Sequence, residues 1–111
     1  MYIQLKSGKE FINPNTGQIH TKLTAGVTLV KLETRNKSVG ILVEFHETRE
    51  LMIEGKQCSF NKSFTIEDAE GKTDFTNLYM ANPNLGMFGI NMEKLMYDFI
   101  LNELIDFEII N

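Results

Sequence analysis

The stretch IHTKLTAGVTLVKLE (Ile19–Glu33), followed by TRNKS (Thr34–Ser38) and VGILVEF (Val39–Phe45), decides the fold. In the first segment Leu23, Ala25, Val27 and Leu29 share one face and Lys22, Thr24 and Thr28 the other, the two-residue period of a half-buried strand. The phase then slips, because Val30 and Leu32 are apolar at even positions around a polar Lys31. That slip predicts a β-bulge near Leu29 or a sheet end buried on both sides. In the third segment Val39, Ile41, Val43 and Phe45 alternate cleanly, and the pentapeptide between the arms is rich in turn formers. A long hairpin follows, with Val27, Ile41, Val43 and Phe45 facing inward. Leu51 and Ile53 resume the phase of the second arm after Glu47-Thr48-Arg49-Glu50. Either the arm runs on to Glu54, about 50 Å at roughly 3.3 Å per residue, or it breaks at Glu47–Glu50 into two shorter strands.

Working outward, Met1, Ile3 and Leu5 alternate with polar residues as a strand does, and Ser7-Gly8-Lys9 reads as a turn. A short Phe11-Ile12 segment meets Asn13-Pro14-Asn15-Thr16-Gly17, where proline and the residues tolerant of positive φ predict a reversal. Beyond the hairpin, Gly55-Lys56-Gln57 turns into an even-phase strand with Cys58, Phe60, Phe64 and Ile66, interrupted at Asn61-Lys62. Glu67–Thr73 reads as a loop, Phe75–Met80 as a last short strand, and 82–89 as a loop with apolar content. Asn91 is a suitable N-cap with Glu93 in the first turn, which predicts a helix from Met92 to about Phe107. The fold class expected is α+β: one domain over 1–111, mainly antiparallel β in a sandwich or barrel-like body (1–90), with a C-terminal α-helix (91–108).

Bulk properties narrow the function classes. With 111 residues and 42% hydrophobic content the chain suits a globular domain with a real core. Cys58 is the only cysteine and the opening residues lack a charged start followed by an apolar run, so a cytoplasmic, non-secreted protein is expected. No apolar stretch approaches the roughly 20 residues of a membrane-spanning helix. Residues 1–90 balance ten acids with ten Lys and Arg, whereas 91–111 hold five acids against Lys94, so the whole net charge of −4 sits at the C-terminus. This argues against a nucleic-acid binder of the usual basic kind.

Chemistry-bearing residues are sparse. His20 and His46 are the only imidazoles, and Glu44, His46, Thr48 and Glu50 share a face if the second arm is regular. Their spacing matches no metal motif, and ordinary solvated residues on an exposed sheet face explain them better. Cys58 has no neighbour that would activate it, and Gly86-Met87-Phe88-Gly89 lacks the lysine and preceding strand of a phosphate loop. The expectation is a protein with no catalytic site, no metal and no cofactor.

The predicted helix carries more apolar surface than one sheet needs. Asn91, Lys94, Asp98, Asn102 and Asp106 form a narrow polar stripe, and Met92, Leu95, Met96, Tyr97, Phe99, Ile100, Leu101, Leu104, Ile105 and Phe107 cover most of the rest. Part of that arc is either sunk between sheet and loops or a protein interface. The candidate interface residues are Tyr97, Leu101 and Leu104 on the flank away from Leu95 and Phe99, the acids Glu103, Asp106 and Glu108, and Met87 and Phe88 in the loop before the helix. In size, projecting hairpin, Asn/Lys/Ile-rich composition and lack of catalytic residues, the whole chain resembles the small β-rich virion proteins of tailed bacteriophages, the head-to-tail connector, tail and accessory proteins. That resemblance implies a structural subunit that self-associates or joins a larger assembly through protein contacts. The residues themselves point to no membrane span, argue against nucleic acid through their charge, and show no small-molecule site. The other reading is a small β-barrel binding module for a peptide, a carbohydrate or single-stranded nucleic acid, with Phe60, Phe64, Phe75 and Tyr79 as a stacking platform near Lys56, Lys62 and Lys72.

Overall fold

The computed structural model describes residues 1–33, 35–73, 75–76 and 90–111. Its centre is the expected hairpin. β4 (Thr24–Glu33) and β5 (Ser38–His46) pair antiparallel from Thr24↔His46 to Glu33↔Ser38, and the register shifts between Val27 and Leu29. That shift is a β-bulge, one of the two readings the phase slip allowed. It lets Val27, Val30 and Leu32 all oppose the inward residues Val43, Ile41 and Val39, while Leu29 turns outward beside Leu42.

Four further strands complete a six-stranded antiparallel sheet that curls into a half-barrel. These are β1 (Tyr2–Leu5), β6 (Phe60–Ala69), β7 (Lys72–Thr73) and β8 (Phe107–Ile110), and the order is β7-β6-β5-β4-β1-β8. A separate two-residue ribbon, β2 (Phe11–Ile12) with β3 (Ile19–His20), caps one end. The turn joining its strands is built by Asn13, whose side chain accepts from Asn15 N–H at 2.9 Å and whose carbonyl accepts from Gly17 N–H at 2.8 Å. Phe11 projects from the ribbon onto Phe45 and Phe60 in near-parallel stacks at 5.8 and 5.6 Å, with Phe107 edge-on at 5.7 Å. Four aromatic rings thus close the mouth of the half-barrel.

Several elements differ from the sequence reading. The second arm ends at His46, and residues 49–53 form a short helix, α1 (Arg49–Ile53), rather than a strand. Thr48 caps it by accepting from Leu51 N–H at 3.2 Å, and Gly55 ends it at φ +70°, a conformation glycine adopts without strain. Leu51 and Ile53, in phase with the arm, are therefore exposed. β6 is continuous through Asn61-Lys62 and runs to Ala69, so Glu67–Thr73 is mostly strand and tight turn rather than loop. Phe75 and Thr76 have helical backbone where a strand start was expected, and the rest of that segment lies outside the described residues.

The C-terminal helix is shorter than expected. α2 (Ile90–Leu101) starts before Asn91 and ends one turn past Asp98, and Phe107–Ile110 is strand β8. Glu103 N–H and Leu104 N–H both donate to Ile100 carbonyl, at 3.1 and 3.0 Å, and Phe107 N–H donates to Leu104 carbonyl at 3.1 Å, turning the chain into β8. Two forces favour the switch. A helix reaching Glu108 would have stacked Glu103, Asp106 and Glu108 at its negative end, whereas the β1 edge offers Phe107–Ile110 a full antiparallel partner from Leu5 to Tyr2.

α2 contributes Met96, Tyr97 and Ile100 to the buried core that the concave face of the sheet supplies with Ile3, Ala25, Ile41 and Val43. The convex face carries α1. A Cβ at Gly26 would make ordinary van der Waals contact with Met52 Sδ at 3.5 Å and the Tyr97 hydroxyl at 3.8 Å. Among the described residues no helix is long and apolar enough to cross a membrane.

Candidate functional site

The convex face of the sheet is covered by α1 only in part. Beside the helix lies an open groove of about 720 Å³. Its floor is the outward side of β1 and β8 with Tyr2, Gln4 and Glu108, and its walls are Thr21–Thr24 on one side and Glu47–Glu50 on the other, with Ser7 and Gly8 at one end. Strand alternation puts Tyr2 and Gln4 here because Ile3 and Leu5 take the core. Pairing of Gln4 with Glu108 and of Gln4 with Thr24 brings β8 and β4 side chains level with it.

The feature that sets this groove apart is a cation over an aromatic ring. The Arg49 guanidinium carbon stands 3.7 Å from the centroid of Tyr2, where the ring quadrupole attracts it. Among the described residues Arg49 makes no ion pair or hydrogen bond, although Glu47 and Glu50 are its close neighbours in sequence. Glu47 is engaged elsewhere, its carboxylate accepting from His20 Nδ1 at 3.0 Å. The rim therefore carries Arg49 and Lys22 as cations and Glu50 and Glu108 as anions free of described partners, with Ser7, Thr21 and Thr48 as neutral hydroxyls. Such a surface holds a polar partner of mixed charge; it lacks the mostly apolar lining of a small-molecule pocket.

The two histidines are not solvated residues on an exposed face, as the sequence suggested. His20 is 3% and His46 4% exposed. His20 packs against Phe60 and ties the ribbon to Glu47 at the end of β5. His46 donates from Nε2 to Lys56 carbonyl at 3.0 Å, clasping the segment that follows α1. One nitrogen of each ring is engaged in the fold, whereas His20 Nε2 and His46 Nδ1 are buried with no hydrogen-bond partner among the described residues, where no three His, Cys, Asp or Glu gather in a metal-binding group.

The proposed interface on the helix is largely internal. Tyr97 is 2% and Leu104 5% exposed, both in the chain's own core, and Leu101 is half-buried against it. Leu95, assigned to the opposite flank, is the exposed one. Of the two readings the apolar arc allowed, Tyr97 and Leu104 follow the one in which the helix is sunk into the core. Of the acids, Glu103 is exposed with Lys62 Nζ at 3.9 Å, Asp106 is half-buried in the turn before β8, and Glu108 lines the groove. Met87 and Phe88 lie outside the described residues, as do Met80, Leu85 and Tyr79. The stacking platform is not available either, since Phe64 and Phe75 are buried and Phe60 stacks on Phe45 at 4.4 Å within the core.

Sequence reading missed Tyr2 and Arg49. Tyr2 was read as the polar side of β1 and Arg49 as part of a strand break, and only folding brings residues so far apart into one stack. No family model, curated protein sequence or solved structure matches the chain.

Proposed function

We propose that the protein is a non-enzymatic assembly subunit that works through protein–protein contact, of the kind found among small β-rich phage virion proteins, and that the convex groove is its docking surface. The observation that carries this reading is the Arg49–Tyr2 stack in an open, mixed-charge groove. Arginine and tyrosine are among the residue types most enriched where truncation costs a protein interface most. The remaining exposed apolar residues suit the same role: Ile12 and Ile19 are cross-strand neighbours on the ribbon, 62% and 57% exposed.

Sedimentation of the purified chain over a range of concentrations tests the reading. Concentration-dependent association is expected, weakened about tenfold or more by Tyr2→Ala with the melting temperature little changed. A wild type that remains monomeric up to millimolar concentration would overturn it.

A further inference from the structure

We infer that the occupant of the groove is a second copy of this chain, which presents its acidic turn 102–106 to Arg49 across a two-fold axis. The inference rests on the assembly reading and names the contact through which assembly occurs.

Charge is the first argument. Among the described residues the Arg49 guanidinium has no anion, and it stands in an open polar groove where an added carboxylate gains most. The chain's excess of negative charge is concentrated in residues 91–111, and the exposed end of that segment is the turn between α2 and β8. There Glu103 and Asp106 flank Ile105, which at 72% exposure is the most exposed large apolar side chain described. A protruding isoleucine, with half-buried Asp106 beside it and Glu103 already near Lys62, suits the Tyr2, Arg49 and Lys22 part of the groove, while Glu47, Glu50 and Glu108 make the rest of the lining acidic.

Position is the second argument. The turn borders the groove: Asp106 carbonyl accepts from Lys6 N–H at 2.9 Å, and Leu5, Ser7 and Glu108 line the groove itself. When donor and acceptor patches adjoin on one surface, a two-fold axis between them satisfies both contacts at once, so the contact is isologous and closes as a dimer. The groove's own acids are met in the same way. Glu50 and Glu108 can take cations from the partner, and Lys6, whose N–H donates to Asp106 carbonyl, is exposed beside the acidic turn. A patch of about 800 Å² per copy, the usual size for a specific interface, is roughly a ninth of the 7355 Å² surface.

Charge exchange tests this. Arg49→Glu alone and Asp106→Arg alone each place like charges against one another twice in the dimer, and each is expected to weaken self-association about a hundredfold. Mixed in equal amounts, the two variants form a heterodimer in which one contact is the exchanged pair and the other is the original Arg49–Asp106, and wild-type association should return. Native mass spectrometry of the mixture, with one variant isotopically heavy, reads this directly. Association should also fall as salt rises from 0.1 to 1 M, where the screening length drops from about 10 to 3 Å. If both single variants dimerise as the wild type does, the groove contact is wrong while assembly through another surface stands. If each variant loses association and the mixture does not regain it, the pairing of Arg49 with Asp106 is wrong. A wild type that never associates defeats the assembly reading and this contact together.

Discussion

The Tyr97 hydroxyl occupies a rung of the sheet. β1 and β4 pair directly at Ile3↔Ala25 and Gln4↔Thr24, and at the next position the strands have splayed. Val27 N–H donates to the Tyr97 oxygen at 3.0 Å, and the hydroxyl donates in turn to Met1 carbonyl at 3.3 Å, so one side chain from α2 joins the two strands. Removing it with Tyr97→Phe leaves Val27 N–H without that acceptor, and a loss of about 1–3 kcal/mol is expected from denaturant unfolding. Burial pushes the pKa of this phenol up, and the charge of Glu93 adds to the effect, while the Val27 hydrogen bond opposes it. The folded chain therefore resists ionisation that the unfolded chain allows. The stabilisation is complete below the unfolded pKa of about 10 and is lost as pH rises through the higher folded value. Thermal melts from neutral to alkaline pH should show that decline in the wild type, and it should shrink in Tyr97→Phe.

At the scale of elements, the hairpin is the part most tightly specified by its own residues. Val43 sits at the centre of β5, fully buried and paired with Val27 on one side and Lys62 on the other. Val43→Asp would bury an unpaired carboxylate and should cost several kcal/mol, on the order of 3–5, enough to unfold a domain of ordinary stability. Circular dichroism of the variant reads the outcome, and retention of wild-type stability would contradict the packing. The neighbouring Lys62 shows how a charge survives on the inner face of the sheet. At the β6 position opposite Val43 its stem passes over Phe64, 5.2 Å from the ring centroid to Nζ, and its ammonium reaches out to Glu103.

For the molecule as a whole, the half-barrel needs a plug. The sheet covers the core on one side and α2 on the other, and the ribbon β2–β3 closes the mouth with Phe11 against Phe45, Phe60 and Phe107. Phe11→Ala should open that end, with a loss of about 2–4 kcal/mol and greater binding of a hydrophobic dye, because Phe45 and Phe60 lose a stacked neighbour and Phe107 an edge-on one. His20 would feel the change too. It is paired with Phe11 in the ribbon and holds Glu47, so loosening the ribbon should release Glu47 toward Arg49 and alter the charge of the groove.

Local residue order by itself determined the hairpin, its bulge near Leu29, the inward set Ile41, Val43 and Phe45, the first strand and the Asn13–Gly17 reversal. In each case alternation or turn chemistry acts over a few neighbouring residues and needs no distant partner. Thr48, Glu50 and Gly55 also spelled a short helix, a signal hidden by the phase of Leu51 and Ile53. The end of α2 and the existence of β8 were decided by tertiary structure. Phe107, Ile109 and Ile110 suit helix and strand alike until the free edge of β1 supplies backbone partners for one of them. The same holds for the groove. Tyr2 and Arg49 stand 47 positions apart in the chain, and each is unremarkable alone. Their stack exists because β1 lies beside β4 and α1 folds back over the same sheet face, a long-range arrangement that no local pattern encodes.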